Sequence, residues 1–421
     1  MIQTLVNAWK IPELRKKLMF TMVILLLYRV GSVIPVPFVD AAMMTEYFNS
    51  VLGDTILGLY NAMSGSAFSQ ASVLALSIQP YINSSIIIQL LTVAIPALER
   101  MAKEEGEEGK KKLTAITRYT TVALGLLMGY AYYTMISSYG IVTETGFLPG
   151  LVIVLAFTAG SAVVMWLGEQ ITEFGIGNGI SMILFANIIS GIPSGFGTLL
   201  GMKWWAILVA LLIVALVVFV VFINDAERRI PIQYAKRVVG RKVYGGQNTN
   251  LPIKVAMSGV MPVIFSSSIC SVPATIAAFF GINAQSGNWW YDNLWSPNSW
   301  AYAIVYGLMI FFFSWFYSTI QYDPVEIANN LKKNGGFIPG FRPGKPTADF
   351  IQKVINKIII FGAVYLAIIA LMPIVAGNLI PNARNMMIGG TTTIIVVGVA
   401  LETVKAIEAQ MLMRHYKGFL D

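Results

Sequence analysis

Residues 69–96 read SQASVLALSIQPYINSSIIIQLLTVAIP. The stretch carries no charge and is long enough to cross a bilayer as a helix. Its middle nevertheless holds Gln79, Pro80, Asn83, Ser84, Ser85 and Gln89. Hydrocarbon offers those groups no hydrogen-bond partner. One face of this helix is therefore expected to meet another helix, a polar cavity or a passing substrate. Ile78 and Ile82 are four apart and share one helical face beside the polar groups.

The rest of the chain suits a membrane. Of 421 residues, 56% are hydrophobic and 12% charged, and the mean hydropathy is +0.68. Soluble domains carry about twice that charged fraction. The lead-in MIQTLVNAWKIPELRKK is basic and amphipathic, with no apolar signal core before the first span, so no cleaved signal peptide is expected. A single cysteine, Cys270, excludes an internal disulfide, and a single histidine, His415, removes most histidine-based metal sites and triads.

Ten spans are expected, at residues 18–34, 69–96, 113–136, 150–170, 179–192, 204–224, 252–280, 300–322, 354–375 and 387–402. The fold class is thus all-α and polytopic. The chain divides into a cytoplasmic segment 1–17, a first half 18–192, an external hinge 193–203, a second half 204–402 and a cytoplasmic tail 403–421. Five is an odd number, so the halves, if structurally related, would be inverted repeats with the working site, a central pore, between them. With the N-terminus in the cytoplasm, all but three of the 29 Lys and Arg residues lie inside. Lys203 and Arg384 fall outside, and Arg29 lies within the first span.

Three segments are not spans. Residues 53–68 are too short to cross and too apolar for water, which fits either a re-entrant piece or an interfacial helix. The cytoplasmic loops 225–251 and 323–352 are long, basic and rich in Gly and Pro. They are expected to dock a partner, or else to rest on anionic lipid.

Motifs for catalysis are missing. There is no HExxH, P-loop or GxSxG, and the glycines of 175–179 join two spans rather than a strand and a helix. Glu169, Glu173, Asp225, Glu227 and Glu402 all sit at cytoplasmic span ends, so no enzyme, cofactor or metal site is expected and proton coupling has no mid-membrane acid. What remains is a passage lined by the misplaced polar groups and sealed by apolar side chains. A secondary transporter built on inverted repeats is the alternative.

Four stretches carry a resemblance: PYINSSIIIQLL (80–91), LGEQITEFGIGNGIS (167–181), ERRIPIQYAKRVVGRKVYGGQNTNLPIKV (227–255) and NNLKKNGGFIPGFRPGKPTADFI (329–351). Across essentially its whole length the chain resembles the SecY family, the central subunits of protein-conducting channels. The resemblance implies a pore ring of Ile78, Ile82, Ile180, Leu184, Ile264 and Ile395. It implies a plug at 53–68 and a lateral gate between the second and seventh spans, with Gln89, Asn178 and Ser268 as its polar members. Arg241 and Lys242 in one loop, and Arg342 and Lys345 in the other, would dock a SecA-like motor ATPase or the ribosome, including its RNA. Small SecE-like and SecG-like subunits, a secretory precursor or signal peptide, and anionic lipid are the other implied partners. The implied location is the bacterial plasma membrane with both termini cytoplasmic. Asn250 stands where the family pattern leads one to expect histidine.

Overall fold

A computed structural model describes residues 2–417 apart from 53–55, 145, 202–203, 235–236, 240–241, 245–247, 258, 280–293, 295–298 and 380–389. The chain is mostly helical. α1 (Ile2–Lys10) leads into α2 (Pro12–Gly31), where Pro12 occupies a first-turn position that needs no N–H. α3 (Ala41–Tyr47) is capped by the Asp40 carboxylate, which accepts from the N–H groups of Ala42 and Met43. A π-helical turn (Phe48–Leu52) follows, then α4 (Ile56–Ser64).

The continuous helix expected over 69–96 is not there. Residues 65–78 run as successive turns, and α5 (Gln79–Ala94) begins only beside Pro80. Proline presets φ for a first turn and has no N–H to satisfy, so it marks the helix start. The backbone before it bonds elsewhere: Val36 N–H to Ala71 O at 3.1 Å and Val73 N–H to Ile34 O at 2.9 Å. None of residues 65–78 is exposed, as irregular backbone at membrane depth requires. Gly160 allows this close approach, because a Cβ there would run into the Val73 carbonyl oxygen.

After α5 the chain turns by 107° into α6 (Pro96–Lys103). α7 (Gly106–Ser138) and α8 (Phe147–Phe174) pack through small residues, Gly125 and Gly129 facing Thr158 and Ser161. α9 (Gly179–Gly201) runs past Pro193 and through most of the stretch expected as an external hinge; Met202 and Lys203 lie outside the described residues. α10 (Trp204–Asp225) follows.

The all-α expectation needs a second correction. The loop after α10 holds β1 (Glu227–Tyr234), β2 (Arg237–Val239), β3 (Lys242–Tyr244) and β4 (Asn248–Lys254). β1 pairs antiparallel with β4, setting Ile230 opposite Leu251 and Ile232 opposite Thr249. Its other edge takes β5 (Gly336–Phe337), from the loop after the eighth expected span. The two loops thus form one sheet, ordered β4–β1–β5. Alternation is the cause: Ile230 and Ile232 point inward while Arg229, Pro231 and Gln233 stay exposed. With Ile253, Leu331, Ile338, Ile351 and Ile355 they build a separate apolar core.

Because 252–254 belong to β4, the helix expected from 252 starts later, as α11 (Met261–Phe279). α12 (Trp300–Gln321) and α13 (Pro324–Lys333) follow. α14 (Lys345–Leu379) starts nine residues ahead of the expected 354, and α15 (Gly390–Lys417) continues through most of the expected tail. Among the described residues, Phe147–Phe174, Trp300–Lys333 and Lys345–Met372 are long and apolar enough to cross a membrane, with Gln79–Ala94 and Pro96–Ala102 a fourth if that bent pair is one span.

Candidate functional site

The six expected ring residues come from four places in the chain. Ile78 is the N-cap residue of α5, and the Ile82 N–H bonds its carbonyl at 3.1 Å, so the one-face relation survives the late helix start. Ile78, Ile82, Leu184 of α9, Ile264 of α11 and Ile395 of α15 are buried in one apolar cluster, and half-buried Ile180 packs against it. Gly168 of α8 sits beside them: its Cβ position lies 3.3 Å from the Ile78 side chain and 3.8 Å from that of Ile180. Such contacts are non-directional and exclude water.

Met63 of α4 belongs to the same cluster. Of the expected plug, 53–55 lie outside the described residues. Further along it is lodged in the protein: Tyr60, Asn61, Met63 and Ser64 are all buried. The Asn187 amide of α9 donates to Met63 O at 2.8 Å and to Tyr28 Oη at 2.9 Å. Arg29 Nη1 donates to Gly65 O at 3.1 Å. Tyr28 Oη and Ser77 Oγ are 3.1 Å apart. Neither Arg29 nor Asn187 is among the expected site residues. The available signal was a cation in an otherwise apolar span, a group that needs a partner there.

The expected gate polar residues part company. Ser268 is buried on α11, and its partner is Gln79, whose Nε2 donates to Ser268 Oγ at 3.0 Å. Gln89 instead donates to Ser85 on its own helix. Asn178 caps α9, its Oδ1 accepting from the N–H groups of Ile180 at 3.0 Å and Ser181 at 3.4 Å.

Arg241 lies outside the described residues, and Lys242 opens β3. Arg342 and Lys345 share an exposed turn at the start of α14. Thr347 Oγ1 bonds the Arg342 carbonyl at 2.8 Å, and the rings of Phe341 and Phe350 pack 4.2 Å apart, fixing that turn. Among the described residues no group of three His, Cys, Asp or Glu could hold a metal.

These features define a class: a helical membrane protein gathered around a buried apolar cluster, with a short helix lodged against it and a basic sheet joining two of its loops. The SecY family model matches residues 72–404, and the chain belongs to the SecY family. It is 45% identical to the protein translocase subunit SecY of Streptomyces galbus over the whole of both chains. It is 41% identical to that of Thermotoga maritima, over all of this chain and 98% of the other. In fold it is similar to a solved protein-conducting channel, with a TM-score of 0.64 at 16% identity, covering 94% of this chain and 92% of that one. It is similar also to Sec61 from a canine ribosome–channel complex, with a TM-score of 0.61 at 16% identity and the same coverage.

Proposed function

We propose that this chain is the channel-forming subunit of a bacterial protein translocase. It passes unfolded secretory polypeptides across the plasma membrane and releases apolar segments sideways into lipid. It is a passive conduit driven from the cytoplasm, not a carrier of small solutes. The observation that carries the reading is that Met63 of the lodged helix shares one buried cluster with Ile78, Ile82, Leu184, Ile264 and Ile395. That is the arrangement a plugged apolar ring requires. Isoleucine packs around varied side chains without directional bonds, so the ring admits many sequences while leaving little room for water.

The finer reading is of ten spans in two inverted halves, both termini cytoplasmic. Opening separates α5 from α11, which the Gln79–Ser268 bond holds together. The sheet and the Arg342 turn form a cytoplasmic platform for a SecA-like motor or the ribosome, since arginine forks onto carboxylate or phosphate alike. SecE-like and SecG-like subunits complete the assembly, and anionic lipid meets its basic face.

The test is transport of an unfolded precursor into proteoliposomes holding this chain, its single-span partner and the motor ATPase. Protease protection should require ATP and fall when Arg342 is changed to Glu. Absence of ATP-dependent protection, with motor and partner bound, would overturn the channel reading.

A further inference from the structure

The turn that ends α4 is capped from two other helices. Gly65, at φ +66°, closes α4 with a Schellman pattern: Ser66 N–H bonds Asn61 O at 3.0 Å and Gly65 N–H bonds Ala62 O at 3.3 Å. The Ser64 carbonyl is taken by Ala67 N–H. Within the turn, those bonds leave the carbonyls of Met63 and Gly65 without a local donor. The first is taken by Asn187 of α9 at 2.8 Å and the second by Arg29 of α2 at 3.1 Å.

We propose that Arg29 and Asn187 form a polar latch that holds the plug helix closed, and that breaking it is a threshold step in opening. The proposal rests on the channel reading above. A cation at a helix C-terminus meets the negative end of the helix dipole. The same Arg29 guanidinium would be costly in an apolar span without such a partner. When α4 leaves, Arg29 loses Gly65 O and Asn187 loses Met63 O together, so closure is cooperative. Asn187 also grips Tyr28 of α2, tying both latch arms into one unit. Its Oδ1 is buried with no hydrogen-bond partner, so the side chain is oriented for its donors. Gly65 is required by space as well as by φ: a Cβ there would lie 2.5 Å from Arg29 Nη1 and 2.9 Å from Asn187 Oδ1. Both residues are positioning groups; neither needs to touch the translocating chain.

The experiment measures ion conductance in planar bilayers holding the chain with its single-span partner, alongside ATP-driven precursor protection in matched proteoliposomes. Arg29→Met and Asn187→Leu should each raise the frequency of open events about tenfold, as loss of one hydrogen bond to a charged or buried group predicts. Arg29→Lys should return towards the parent value, which a merely structural defect would not do. Gly65→Ala keeps the α2 and α9 sequences and presses on Arg29 and Asn187 from the turn itself, so it should conduct too even if the first two variants fail to assemble. Variants that keep protection and stay as tight as the parent would overturn the latch while leaving the channel. A parent chain without ATP-dependent protection would overturn the channel reading, and the latch with it.

Discussion

Ser268 and Gln79 show how a single buried bond can set the state of a channel. Ser268 Oγ accepts from an amide in the first turn of α5, and both residues are buried. Changing Ser268 to Ala strands that amide, at about 1–3 kcal/mol. Because the bond joins the two proposed gate helices, the cost falls on the closed state. Open events should rise on the order of tenfold. Adding Gln79→Leu removes the stranded group and should bring the frequency back down, since two apolar partners leave nothing unsatisfied. A single Ser268→Ala chain as tight as the parent would refute this. Sequence alone made Gln79 visible as a misplaced polar residue but could not choose it over Gln89. The choice depends on helical phase, and phase depends on where the helix starts. With 69–96 read as one helix the count began ten residues early. Asn178 was readable as a cap, for an Asx residue directly before a helix is the preferred N-cap.

Hydropathy identifies helices but not how far they run beyond the hydrocarbon. α14 projects from Lys345, and α15 continues to Lys417, so helical structure carries the charged ends into water. The sheet is absent from the expected elements for a different reason. ERRIPIQY alternates as a half-buried strand should, a signal present in the sequence. Its edge partner β5 is only two residues long and lies about a hundred residues away, and local pattern carries no trace of that pairing. The sheet makes the two loops one body, because Ile230 and Ile232 share a core with Leu331, Ile351 and Ile355. Ile232→Asp would bury a carboxylate in that core with no partner, costing several kcal/mol. The membrane portion has its own larger core. The variant should therefore still bring down its single-span partner while losing most ATP-driven transport. Intact transport would mean that motor docking does not depend on the sheet.

At the scale of the whole molecule the two ends are built differently. One end is knit by short backbone bonds: Thr143 N–H to Phe38 O at 3.0 Å and Asp40 N–H to Ile141 O at 3.1 Å. The other carries the sheet, the exposed Arg342 turn and the Lys405–Asp225 ion pair at 2.6 Å. Basic residues crowd the second end, and translocation of Lys and Arg during insertion is disfavoured, so that end should stay in the cytoplasm. Arg228 and Glu144 are exposed, one at each end. Cys270 is buried and can first be replaced by Ser to clear the background. In intact cells a membrane-impermeant maleimide should label Glu144→Cys and leave Arg228→Cys untouched until the membrane is opened. The reverse pattern would put the plug helix on the cytoplasmic side. It would also leave the sheet where no motor or ribosome could reach it, so this labelling tests the docking reading and the topology together.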